Sequence, residues 1–158
     1  MRRARRVTPT IRATPPELPS ERTVIMTART PAENKAIVLK AFETLFNRKD
    51  LAAAERFWSP AYIQHSAHVP AGREGLFGLV ASGPADLHYE CQLAVAEGDH
   101  VMLHGRFSGL GLPANWVVVD ILRLEAGVMV EHWDVIQDEA TREGSQGGHP
   151  MFGDHFPG

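Results

Sequence analysis

The sequence predicts an α+β fold in which helices lie over one face of a bent antiparallel sheet. Three observations predict it. Apolar residues recur at helical spacing from Ile37 to Phe46. From Leu87 onward the pattern changes to β-branched and period-two runs. The two strongest of those runs, Val117 to Leu124 and Val128 to Ile136, flank the short stretch Glu125-Ala126-Gly127, which is a hairpin signal. Helices first and a strand meander after them leave an apolar pocket between the two layers.

Residues 1–30 carry seven arginines against Glu17 and Glu21, with Pro9, Pro15, Pro16 and Pro19 between them. That composition reads as a disordered basic extension. It lacks the apolar core of a secretory signal, and its prolines interrupt any amphipathic transit helix. Initiation at Met26 is the alternative, which would leave the upstream stretch untranslated.

The folded part spans 31–140. Thr30-Pro31-Ala32-Glu33 forms a capping box with proline at the first helical position. The helix it starts presents Ile37, Val38, Ala41, Phe42, Leu45 and Phe46 inward and ends near Asn47-Arg48-Lys49. Asp50 caps a shorter helix from Leu51 to about Phe57, stopped by Ser59-Pro60. Tyr62-Ile63-Gln64-His65 is short and extended, and a loop follows to Gly72. A third helix runs from Arg73 to about Ala81 with Leu76, Phe77 and Val80 inward. Strands then cover Leu87 to Ala96 and Val101 to Phe107, joined at Gly98-Asp99. Residues 141–158 are a Gly-rich tail, and its Phe152 and Phe156 are candidates to fold over the pocket.

Asp120 and His132 sit inside the two runs of the hairpin. A three-residue loop bulged at Gly127 would place them directly opposite each other on one face. A two-residue Ala126-Gly127 turn would put Trp133 there instead. A carboxylate among Val and Leu loses water and becomes costly to charge without a partner. It is therefore either a structural Asp–His hydrogen bond that fixes register or a general acid/base in a pocket. His65, at a strand end, is either a third proton-handling group or a histidine bonded to backbone. Tyr62, His104 and Trp133 are candidates to line the pocket, with Val118 and Leu122 two residues either side of Asp120. Arg123, three residues from Asp120, points to the other face, where Glu125 or Glu131 would pair with it.

The whole chain excludes several classes. At 158 residues it is one domain's worth, and no run approaches a membrane span. A net charge of −3 gives no reason to expect a nucleic-acid partner. Cys91, the single cysteine, excludes an intrachain disulfide and fits a reducing cytoplasm; within its strand it reads as a small buried hydrophobe. The eight histidines include no HExxH pair, and no Gly-rich phosphate loop precedes a helix. Neither a metal site nor a dinucleotide-phosphate site is expected from these patterns.

Taken in order, Tyr62-Ile63-Gln64-His65, Gly72-Arg73-Glu74-Gly75, Ala96-Glu97-Gly98-Asp99, Val119-Asp120-Ile121-Leu122-Arg123 and Val130-Glu131-His132-Trp133-Asp134 resemble the SnoaL-like branch of the nuclear-transport-factor-2-like superfamily. The resemblance implies a cone with N-terminal helices over its concave face, a homodimer formed through the sheet, and a pocket at the open end. It also implies cofactor-free aldol cyclase or isomerase chemistry on a small hydrophobic carbonyl compound, with Asp120 as acid/base and His132 and His65 as assisting histidines. Two alternatives within the same fold are a non-catalytic ligand-binding domain and a dehydratase or hydrolase.

Overall fold

The structure, a computed structural model, describes residues 29–157. The Arg- and Pro-rich stretch up to residue 28, and with it the alternative start at Met26, lies outside that range. Helix α1 (Pro31–Phe42) begins with the expected capping box: Glu33 N–H donates to Thr30 Oγ1 at 3.2 Å, and Thr30 N–H donates to the Glu33 carboxylate at 2.8 Å. It continues through a wider turn over Glu43–Asn47, which keeps Leu45 and Phe46 buried. Asp50 caps α2 (Leu51–Ala54) by accepting from Ala53 N–H at 3.0 Å, and a tight turn at Glu55–Phe57 leads into β1 (Trp58–Gln64). Helix α3 (Gly72–Ser82) buries Leu76, Phe77 and Val80, as its pattern predicts.

Strands β2 (His88–Glu97), β3 (His100–Ser108), β4 (Trp116–Glu125) and β5 (Val128–Asp138) form the antiparallel meander. Strand β1 adds to its far edge parallel to β5, so the sheet is mixed and ordered β1-β5-β4-β3-β2. Pro60 has no N–H to give a ladder, and the β1 register slips between Trp58 and Ile63. The core lies between the helices and the concave face, where Phe42, Phe46, Trp58, Phe77, Tyr89 and Phe107 pack mostly edge to face.

The hairpin corrects both registers considered from sequence. Its turn has two residues, with Ala126 at φ 52 and Gly127 at φ 83, so both central residues are left-handed. Glu125 faces Val128 and Leu124 faces Met129, but Arg123 faces Glu131. Val130 is therefore an extra residue, a bulge. Beyond it the sum of paired numbers rises by one, and Asp120 faces Asp134 rather than His132 or Trp133.

Cys91 is exposed rather than buried. Strand β2 is irregular between Cys91 and Leu93, and the thiol there donates to the Leu93 carbonyl at 3.5 Å. The tail does not cover the pocket. Phe152 is buried against the outer face of β3, beside His104 and under the Arg106 guanidinium, and Gly153 N–H donates to Gln92. Among the described residues no helix is long and apolar enough to cross a membrane.

Candidate functional site

A cavity of about 240 Å³ opens between the concave face and the helices, at the small end of ligand-pocket sizes. Its walls are aromatic and aliphatic, supplied by α1, α3, the loops around Val69 and Leu110, and Trp116 at the start of β4. The sheet contributes the polar groups: Gln64 from β1, Asp120 from β4, and His132 and Asp134 from β5. The Val130 bulge is what brings these together. Met129 faces the core before it and His132, Asp134 and Ile136 face the same way after it, which strict alternation could not achieve.

Asp120 is 3% exposed, and burial pushes its carboxyl above the usual range, opposed by His132 and reinforced by the neighbouring Asp134. His132 Nε2 lies 3.0 Å from Asp120 Oδ1, although His132 is the diagonal neighbour and pairs directly with Leu122. Tyr89 donates its hydroxyl to Asp120 Oδ2 at 3.4 Å. On the other side of the imidazole, Nδ1 meets Gln64 Oε1 at 2.7 Å, and Ser66 N–H donates to that same oxygen at 3.0 Å. A backbone N–H can only donate, so the oxygen end of the Gln64 amide faces both groups and Nδ1 carries a hydrogen. One further proton then lies between Nε2 and Asp120, giving either a carboxylic acid with a neutral imidazole or a carboxylate with an imidazolium. Asp134 is half-buried in the cavity wall and has no side-chain hydrogen bond or ion pair among the described residues.

Of the residues predicted from sequence, Asp120, His132, Tyr62 and Val118 line the cavity. Burial, and then the charges of Asp120 and Asp134, push the Tyr62 phenol up. Leu122 is fully buried in the core and off the cavity wall. Three others lie on the outer face. Trp133 pairs with Ile121 on the odd-numbered side of the ladder and stacks on His65, with ring centres 4.9 Å apart and planes 2° apart. His65 Nε2 meets Glu131 at 2.9 Å. His104 pairs with Val119, whereas its neighbours Leu103 and Gly105 take the inward positions. Arg123 is also outside, bonded to Glu131 at 2.9 Å and Glu125 at 2.7 Å.

Sequence reasoning missed Asp134, Gln64 and Tyr89 as members of the site. His68 is exposed and borders the cavity, its ring 4.9 Å from that of Trp116. The signal for Asp134 was available, because it stands two residues after His132 and must share its face.

Comparison with known proteins agrees with this architecture. The family described as SnoaL-like polyketide cyclase matches residues 36–143. Among solved structures, TsrD from Streptomyces laurentii is 25% identical with a TM-score of 0.59, over 69% of this chain and 91% of that one. AclR from Streptomyces galilaeus, a candidate hydroxylase, is 28% identical with a TM-score of 0.57, over 69% and 81%. A candidate ketosteroid isomerase from Kribbella flavida shares the fold at 18% identity and a TM-score of 0.63, over 80% and 97%. A comparison with functionally curated proteins returned no match. With two thirds of its length matched and each element in place, the chain belongs to the SnoaL-like polyketide cyclase family.

Proposed function

We propose that the protein is a cofactor-free acid/base enzyme of the aldol cyclase or isomerase type, acting on a small hydrophobic carbonyl compound in the cone cavity. The observation that carries this reading is the placement of Asp134, a carboxylate without a protein partner among the described residues, beside the buried Asp120–His132 hydrogen bond. Asp134 takes the proton from the carbon next to the carbonyl, and the electron pair moves onto oxygen as an enolate. The Asp120–His132 pair then returns a proton, to the alkoxide formed in ring closure or to carbon in an isomerisation. A buried, hydrogen-bonded carboxyl and a half-buried, unpartnered one on the same wall suit that division of labour. Asp120, the sequence-level choice for the base, serves here as the proton reserve, because its oxygens are engaged by His132 and Tyr89.

The test is deuterium uptake at carbon from heavy water by a panel of aromatic ketones. Wild type should label one class of them, and Asp134→Asn should slow labelling by about a hundredfold or more. Labelling at an undiminished rate in that variant would overturn the assignment of the base.

The engaged state of Asp120 also favours a second reading, a ligand-binding domain in which the Asp–His bond is structural. Ketones that bind wild type without ever gaining label would support it.

We also propose that a second copy covers the outer sheet face. Val135 is 67% exposed there, and Leu93, Val95 and Met102 are exposed with it.

A further inference from the structure

The Gln64 amide is engaged at its oxygen end only. Its oxygen faces Ser66 N–H and His132 Nδ1, so its NH2 group points the other way. That nitrogen is buried, belongs to a cavity-lining side chain and meets no acceptor among the described residues. A buried donor without an acceptor is costly, and one on a cavity-lining side chain marks a place where an acceptor belongs.

The charges around them narrow the acceptor's chemistry. Asp134 faces the cavity as an unpartnered carboxylate and no lysine or arginine does, so an anionic carboxylate or phosphate would meet like charge there. A neutral oxygen does not have that difficulty. The remaining wall, with Phe42, Phe46, Trp58, Tyr62 and Trp116, suits a flat ring system.

We infer that Gln64 is a positioning residue for substrate: its NH2 group holds the carbonyl oxygen of a neutral, flat aromatic ketone, and so selects ketones over both hydrocarbons and anions of the same shape. The identification of the ligand as a carbonyl compound rests on the function proposed above. The anchor itself is read at equilibrium and needs no turnover. The contact also joins the ligand to the acid/base group, because the amide that donates to the ligand accepts from His132, and each bond polarises the other.

The probes are 2-acetylnaphthalene, its isopropenyl analogue with CH2 in place of oxygen, and 2-naphthoate, titrated calorimetrically. Wild type should bind the ketone roughly tenfold more tightly than the alkene and the naphthoate least well. Gln64→Glu keeps acceptors for Ser66 and His132 but has no N–H to give. Its ketone-to-alkene ratio should fall to near unity while alkene affinity is kept, which also reports an intact cavity. Gln64→Met, which removes donor and acceptor together, should give the same ratio. A ketone preference that survives in both variants overturns the anchor, as does equal binding of ketone and alkene, or binding of neither, by wild type. Naphthoate bound as tightly as the ketone overturns the charge selection. An intact ratio in a protein that never labels a ketone would sink the acid/base proposal and leave the anchor standing.

Discussion

Asp120 stands directly across the ladder from Asp134, yet its carboxylate reaches diagonally to His132, with Oδ1 and Nε2 3.0 Å apart. Like charges in directly opposed positions repel. The diagonal imidazole relieves that by letting Asp120 share a proton, which leaves Asp134 as the carboxylate without a protein partner. Two carboxylates on one face are thereby set in different surroundings.

The pH dependence of stability should reveal the buried carboxyl. Asp120 titrates above its unfolded value because burial disfavours the charge. The fold therefore gains from this group below the ordinary carboxylate pKa of about 4, and loses that gain as pH rises through the raised value. Asparagine cannot ionise, and its NH2 can donate to His132 Nε2. The stability of Asp120→Asn relative to wild type should accordingly improve as pH rises from about 4. Denaturation midpoints measured across that range would check this. A constant difference between the two proteins would mean that the carboxyl titrates normally.

Deleting Val130 should leave the faces of β5 as they are. Met129 would then be followed directly by Glu131, and plain alternation keeps His132, Asp134 and Ile136 inward and Trp133 and Val135 outward. Inserting one residue between Glu131 and His132 should be severe instead, because it turns His132, Asp134 and Ile136 outward and drives Trp133 and Val135 into the core. A loss on the order of 3–5 kcal/mol or more is expected, read from the guanidinium midpoint. An insertion variant with an unchanged midpoint would show that the strand absorbs the extra residue.

Gly105 leaves room for the ring that holds Asp120. A Cβ there would lie 2.3 Å from the Tyr89 hydroxyl oxygen and 2.5 Å from two ring carbons. Gly105→Ala should therefore cost about 1–3 kcal/mol and displace the hydroxyl from Asp120. Thermal unfolding would measure the first effect and the Tyr89 ring resonances the second. Full stability with an unshifted ring would refute the claim.

The outer face gives a separate expectation. Wild type should run by light scattering at twice 17.4 kDa, and Val135→Lys should run as a single chain with its fold retained. A wild-type mass of one chain would remove the proposed dimer.

The layers, the capping box at Thr30, the Asp50 cap and the face buried by α3 were legible because each depends on neighbours within about four residues. The Asp120–His132 contact was legible too, but for an incorrect reason. A three-residue loop and a two-residue turn followed by a bulge both return His132 to the face of Asp120, and Val128-Met129-Val130 offers no residue that marks the slip. His104 and Trp133 were misplaced for the same reason: period two gives a side, but only the partner strand fixes which side is inward. Gln64 was invisible as a site residue because its role depends on Ser66 and on His132, 68 positions away.

That separation also sets an order of assembly. Strand β1 pairs with β5 alone, the last strand of the sheet. While the chain is being made, Gln64 and the helices emerge long before His132 and Asp134, so the cavity has aromatic walls and an unclosed polar end until the final strand arrives. Contacts this distant in sequence form slowly. Ligand binding would therefore draw on the completed sheet only, and a ribosome-bound chain truncated before β5 would carry most of the hydrophobic wall with none of the polar groups that β5 supplies.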